Sequence, residues 1–237
     1  MNEEKFSGRA KLYALARPSY AQGAVDLIRG SVPQEGVIAD IGAGTGIFTR
    51  QLLSAGYRVY AVEPNADMRG MLSDCGAEVV CAPAEATGLP DKSVDLVTAA
   101  QAFHWFDKEK FRAECRRILC GGGKVLLLWN SEDSSSPLKC EMNEISRRYN
   151  EKFKIRPEFH ETVSGFFEEY TEYTFPNDLV FDREHFIANR LSRSHAPRQG
   201  EDNYEPFRAA LSELFDRYQH DGKITVPNTT RCYFGTV

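Results

Sequence analysis

Up to about residue 130 the chain alternates short apolar runs with longer amphipathic stretches, separated by glycine or polar turns. After a polar start, Pro18 to Ile28 carries helical spacing, with Ser19 as the expected cap behind Pro18. VIADIG reads as a first strand running into a glycine-rich turn, and FTRQLLSAG as a helix stopped at Gly56. YRVYAVEP is a β-branched second strand, ADMRGMLSDCG a second helix with its own glycine stop, and AEVVCAPAE a third strand. SVDLVTAAQAFHW reads as a fourth strand, DKEKFRAECRRIL as a helix, and GGGKVLLLWN as a fifth strand. Strands and helices alternating at this pitch predict an α/β fold with a doubly wound, mainly parallel sheet.

From Ser131 the texture changes. SEDSSSP is a polar turn segment, followed by an amphipathic helix around Lys139 to Phe153 and the aromatic-rich stretch FFEEYTEYTF. Further helices are expected to start near Asp182 and Tyr204, and the tail ITVPNTTRCYFGTV reads as a strand pair or one long bent strand. The expected organisation is a cap over 1–34, a ligand-binding core over 35–130, and a region over 131–237. That last region supplies substrate-side helices and final strands that complete the same sheet.

At 237 residues and 42% hydrophobic, the chain is long enough to bury a sizeable core. A net charge of −5 gives no electrostatic reason to expect nucleic acid as a partner. No window approaches the ~18 apolar residues of a membrane span, and the N-terminus has no signal-peptide core, so no membrane partner is expected. The six cysteines form no C-x-x-C pair and have no histidine at zinc spacing. Reduced thiols, a cytoplasmic address and no metal are the corresponding expectations. Nothing in the pattern specifies an oligomeric state.

Asp40-Ile41-Gly42-Ala43-Gly44-Thr45-Gly46 falls where the first strand ends and the first core helix begins. Glycines there let backbone approach a ligand, and the helix start beyond offers unpaired N–H groups. A dinucleotide turn, G-x-G-x-x-G, needs a third glycine where Ile47 stands, and the acid at Asp40 would repel its pyrophosphate. A ligand with cations and no phosphate suits that acid. S-adenosylmethionine, with an ammonium and a sulfonium, is one. Glu63 follows Gly42 by 21 residues, at the end of the second strand, where an acid is placed to accept both ribose hydroxyls.

DIGAGTG resembles the first motif of class I S-adenosylmethionine-dependent methyltransferases, and VEP resembles their ribose-binding acid. CAPAEATGLPDKSVDLVTAAQAFHWFD resembles the stretch through their adenine loop and fourth strand, and FRAECRRILCGGGKVLLLW the helix and fifth strand that follow. YALARPSY and AFHWFD resemble the branch containing trans-aconitate methyltransferase and related small-molecule enzymes. The resemblance implies a Rossmann-like seven-stranded sheet, S-adenosylmethionine as cofactor, and methyl transfer as the activity. By position it implies that Asp40 meets the methionine moiety directly or through water. Gly42, Ala43 and Gly44 would approach that moiety by backbone, and Glu63 would hold the ribose. Ala84 and Glu85 would flank the adenine, Pro64 and Met68 would pack nearby or belong to the core, and Gln101 would line the methionine end. Tyr13 and Tyr20 would fold over the cofactor.

Methyl transfer is an in-line displacement, so the protein chiefly aligns donor and acceptor, and a base is needed only where the acceptor carries a proton. The fourth strand ends in Gln101-Ala102-Phe103-His104-Trp105-Phe106. Enzymes of this class that methylate exocyclic or amide nitrogens carry Asn-Pro-Pro-Tyr or a near variant there, which counts against DNA, RNA-base and protein-amide acceptors. His104 is the candidate base or hydrogen-bond donor, or else a structural histidine at the strand end. Trp105 and Phe106 read as wall, and Trp129 as part of the acceptor pocket. Arg17, Arg190, Arg193 and Arg198 are candidates to fork onto a substrate carboxylate, with Arg17 and Arg193 favoured by the resemblance. The expected partner is a small molecule, methylated at a carboxylate oxygen rather than at a protonated atom. The alternatives are a methyltransferase acting on tRNA or protein and a protein that binds S-adenosylmethionine without catalysis. From another class, an NAD(P) oxidoreductase would need the glycine spacing that is missing.

Overall fold

Val125 to Trp129 is apolar at every position, as a strand covered on both faces must be, and it forms the middle of the central sheet. The computed structural model describes residues 17–150, 153–154, 163–193 and 195–237. In chain order the elements are α1 (Gln22–Arg29), β1 (Val37–Ile41), α2 (Ile47–Ser54), β2 (Arg58–Val62), α3 (Ala66–Arg69), β3 (Glu78–Val80), β4 (Val94–Ala100) and α4 (Lys108–Ile118). There follow β5 (Leu119–Glu132), α5 (Pro137–Tyr149), β6 (Glu169–Pro176), β7 (Leu179–Phe181), α6 (Arg183–Leu191), α7 (Tyr204–Tyr218), β8 (Ile224–Val226) and β9 (Asn228–Thr236).

Seven strands form one sheet in the order β3-β2-β1-β4-β5-β9-β6, with β1 to β5 parallel and β9 antiparallel to both its neighbours. The α/β, doubly wound and mainly parallel architecture is therefore present. Strand order reverses between β1 and β4, which opens a crevice beyond their carboxyl ends. Ala39, Val97, Leu127 and Trp129 face one layer with Phe103, Phe111 and Phe166. Ile38, Leu96, Leu126 and Leu128 face the other with Val25, Ile28, Phe48 and Leu52. A third core, built on Leu138, Met142, Phe186, Leu211, Phe215 and Ile224, shares no member with these two.

Several elements depart from their apolar pattern. α1 starts at Gln22 rather than behind Pro18, because the residues before it are tied elsewhere as a strap. Tyr20 N–H donates to Gln51 Oε1 (3.0 Å) and its carbonyl accepts from Gln51 Nε2 (2.9 Å). Ala21 N–H donates to Thr230 Oγ1 (2.9 Å), and the Ser19 carbonyl accepts from the amides of Asn130 (3.1 Å) and Asn177 (3.0 Å). β4 stops at Ala100 because Gln101 turns left-handed (φ +57°), and Phe103–Trp105 is a 3-10 turn rather than strand. β3 keeps only three residues, the second core helix is one α turn followed by the 3-10 turn Gly70–Leu72, and α5 ends at Tyr149, short of Phe153. The tail forms two strands with different partners, β8 on β7 and β9 between β5 and β6. Much of the expected N-terminal cap, Tyr13 included, lies outside the described residues. No described helix is long and apolar enough to cross a membrane.

Candidate active site

β1 delivers the chain into its glycine turn at the crevice. Gly42 and Gly44 take φ of +67° and +59°, a region that side chains bearing Cβ enter at a cost. A Cβ on Gly42 would stand 2.7 Å from the Ala102 Cβ, so the turn packs directly against the loop after β4. Gly44 N–H donates to Glu63 Oε2 (2.8 Å), and Asn65 N–H donates to Glu63 Oε1 (2.8 Å). These two donors fix the carboxylate just past β2. A carboxylate oxygen accepts more than one hydrogen bond, so the same pair suits two vicinal hydroxyls. Asn65 escaped the sequence reading. Its side chain also caps α3 by accepting from Met68 N–H (3.0 Å), so one residue orients Glu63 and starts the helix that carries Met68.

Asp40 lies beneath the turn, 1% exposed, accepting from Thr49 Oγ1 (2.6 Å) and Thr98 Oγ1 (2.9 Å). Burial is the largest influence on it and, with the nearby Glu63 charge, outweighs the two hydroxyls, so its pKa rises from 3.8 to about 6. The threonines engage both of its oxygens, and Asp40 is not part of the cavity wall. Asp40 thus supports the glycine turn from beneath, and of the two expected contacts with the methionine moiety, direct or through water, its position outside the wall counts against the direct one.

The cavity above has a volume of about 290 Å³. It brings together Tyr20, Gly42, Ala43, Gly44, Glu63, Pro64, Met68, Ala84, Glu85, Gln101 and Trp105 from the expected set, with Phe106 as further wall. To these it adds Thr45, Ile47, Phe48, Asn65, Pro83, Ala100 and Ala102, mostly small or apolar residues with no chemistry to mark them in advance. Glu85 Oε1 accepts from Asp107 N–H (2.8 Å), which ties the adenine-side loop to the cap of α4. Gln101 Nε2 donates to the Asn130 carbonyl (3.1 Å), and the Tyr20 ring meets Phe48 edge-on at 5.2 Å. The Thr45 hydroxyl, in a residue 2% exposed, has no hydrogen-bond partner within the protein.

The other expected residues of the described chain stand elsewhere. Trp129 has no exposure, because strand alternation puts it on the same face as Val125 and Leu127, so it is core rather than acceptor wall. His104 is not part of the cavity wall; its Nδ1 accepts from Trp129 Nε1 at 3.5 Å. Arg193 Nη2 donates to Glu132 Oε1 (2.5 Å), so its charge is met by the chain's own carboxylate rather than held open at the cavity. Lys139 Nζ (2.7 Å) and Arg190 Nη1 (2.8 Å) converge on the same Glu132. Arg17 is half-buried near Arg190, and Arg198 is exposed. Among the described residues no three His, Cys, Asp or Glu side chains are grouped to hold a metal ion.

The methyltransferase-domain family matches residues 39–127, from β1 into β5. An uncharacterized methyltransferase of Mycobacterium tuberculosis is 34% identical over 192 residues, 78% of each chain. The chain belongs to this methyltransferase family. A methyltransferase-like protein of Schizosaccharomyces pombe is 31% identical over 218 residues, 85% of this methyltransferase and 82% of its own length. Among solved structures, a methyltransferase from an antibiotic biosynthesis pathway of Anabaena variabilis superposes with a TM-score of 0.67 at 26% identity, covering 94% of this chain and 99% of its own. A structure from Anaeromyxobacter dehalogenans shares the fold, with a TM-score of 0.69 at 23% identity over 93% and 97% of the two chains. The cofactor of this methyltransferase is S-adenosylmethionine, and the cavity fits it. The Cβ-free turn admits close backbone contact, Glu63 presents paired acceptors suited to a ribose, and the unpartnered Thr45 hydroxyl calls for a polar ligand atom.

Proposed function

We propose that this methyltransferase acts on a small molecule and places the methyl group on a carboxylate oxygen. One observation carries the reading: among the described residues the cavity wall contains no histidine or lysine, and its two carboxylates, Glu63 and Glu85, already accept backbone N–H groups. A carboxylate is already deprotonated near neutral pH, so such an acceptor needs alignment rather than proton removal. When bound, S-adenosylmethionine supplies an electrophilic methyl on its sulfonium. The chain's own contribution is to position and to exclude water. Glu63 and the glycine turn fix one end of the cavity, while Tyr20, Trp105 and Phe106 wall it with aromatic surface. Gln101, locked in a left-handed conformation by its N–H to the Leu128 carbonyl (2.9 Å), sets the edge where β4 ends.

The test is to supply S-adenosylmethionine labelled in its methyl group with panels of carboxylic acids, amines, phenols, tRNA and peptides. The expected product is a methyl ester, recognised because alkali releases its label as methanol. Label that resists alkali on an amine, a phenol, tRNA or peptide, with no carboxylic acid modified, would overturn the proposal.

A further inference from the structure

The three cations that converge on Glu132 form part of the wall of another, smaller cavity, beside apolar residues such as Met142 and Phe207, and it shares no residue with the first. Glu132, the last residue of β5, has a side chain 5% exposed and receives Lys139, Arg190 and Arg193. One carboxylate divided among three cations leaves part of Arg190 unmet. Arg190 is 6% exposed, yet it commits only Nη1, and its Nε and Nη2 are buried with no hydrogen-bond partner. Those two N–H groups lie on one edge of the guanidinium, the edge that grips a carboxylate or phosphate through two parallel hydrogen bonds. Leaving a charged donor pair buried and unmet is costly. The surroundings add to that cost: burial, with help from Arg193 and Arg17, brings the Arg190 pKa down to about 10 despite Glu132. Arg190 lines a cavity of about 50 Å³ together with Lys139, Asn143, Arg193 and His195. That is several times the roughly 10–15 Å³ one water needs.

The position is as informative as the chemistry. Glu132 lies two residues beyond Asn130 on β5, about 7 Å along the strand. The Asn130 carbonyl receives Gln101, which lines the cofactor cavity. Arg17 precedes Tyr20, another lining residue, by only three positions. The cluster therefore flanks the methyl-transfer cavity without entering it. We infer that the open fork of Arg190 holds an oxyanionic group of the acceptor, carboxylate or phosphate, distinct from the atom that receives the methyl. Glu132 is the positioning residue that aims that fork. The inference rests on the reading of the acceptor as a small molecule, and it requires that the acceptor carry an acidic anchor of its own.

Calorimetry on the whole protein saturated with S-adenosylhomocysteine tests it, with acetate, glutarate and inorganic phosphate as probes. Saturable binding of at least one is expected, and which one binds tells a carboxylate anchor from a phosphate. Arg190→Gln should weaken that binding about tenfold or more, the loss of charge-assisted hydrogen bonds. Arg190→Lys should recover only part, because it restores charge without the fork, and S-adenosylhomocysteine affinity should stay unchanged in both. No binding of any probe to the wild type, or equal binding to Arg190→Gln, overturns the inference. Should Arg190→Gln fail to fold, wild-type crystals soaked in selenate decide. An anomalous peak within hydrogen-bond reach of Nε and Nη2 supports the anchor, and its absence overturns it. None of these readouts involves methyl transfer, so failure of the carboxylate-methylation reading and failure of the anchor are told apart.

Discussion

Two carboxylates buried near the ends of β1 and β5 are moved in opposite directions. Burial drives Asp40, which meets two hydroxyls and a backbone N–H but no cation, up to about 6. Burial would raise Glu132 as well, but the charges of Arg190, Arg193 and Lys139 overcome it and hold that carboxyl well below the usual range. The cofactor region recognises by backbone shape and single N–H groups, and it keeps an acid poised but poorly compensated beneath a ligand that brings positive charge. The second region gathers full charges around one anion. The first is arranged for an incoming cation, whereas the second gathers more positive charge than its one carboxylate meets.

Their pH signatures differ accordingly. The native pKa of Asp40 lies above its unfolded value, so the stability it contributes is present below about pH 4 and lost as pH rises through about 6. A difference of that size is worth about 3 kcal/mol. Glu132 is the reverse: its contribution is present above the ordinary 4.5 and lost as pH falls through its depressed native value.

The largest effect should come from breaking the second region. Glu132→Gln strands the buried Arg190 and the half-buried Lys139 and Arg193 and should cost about 3–5 kcal/mol in urea unfolding. A loss under about 1 kcal/mol would erase the contrast. Next, Glu63→Gln should raise the dissociation constant for S-adenosylmethionine by about 10–100-fold, equivalent to about 1.5–3 kcal/mol, with little change in unfolding midpoint. Calorimetry and urea titration on the same sample separate the two. Asp40→Asn should weaken cofactor binding about tenfold, about 1.4 kcal/mol. In the wild type that affinity should tighten as pH rises through about 6, because ionised Asp40 attracts the cationic donor, and in Asp40→Asn the dependence should flatten. A wild-type affinity that is flat across this range would show that the buried charge is not felt in the cavity. The smallest effect is expected at His104. Its replacement by alanine should leave kcat nearly unchanged, whereas losing a general base costs about 10²–10⁴-fold.

Legibility followed how far apart the cooperating residues lie in the chain. The glycine turn is contiguous, and Glu63 sits one strand-helix-strand unit beyond it, so both could be read from spacing. Glu132 meets Arg190 across 58 residues and Arg193 across 61, and no local pattern announces such a meeting. Trp129 failed for a different reason. In a strand covered on both faces the apolar run is unbroken, so periodicity does not say which face a residue takes. Gln101 ended β4 early through a left-handed turn that its residue type does not advertise. The helix start at Asp182 was legible because capping and amphipathic spacing coincide there, whereas that at Tyr204 shows in its spacing alone, Asn203 giving no side-chain cap.

The strap at Ser19–Ala21 carries a consequence for the order in which the molecule is completed. Its bonds to Asn130, Asn177 and Thr230 span 111, 158 and 209 residues, so they wait for strands made much later. During synthesis the glycine turn, Glu63 and the Gln51 partner of Tyr20 emerge early, but Ser19 and Ala21 on either side of Tyr20 are anchored only after β9 has inserted between β5 and β6. The strap that flanks the cofactor cavity is thus completed late, and tight cofactor binding becomes a report that β9 has found its place in the sheet.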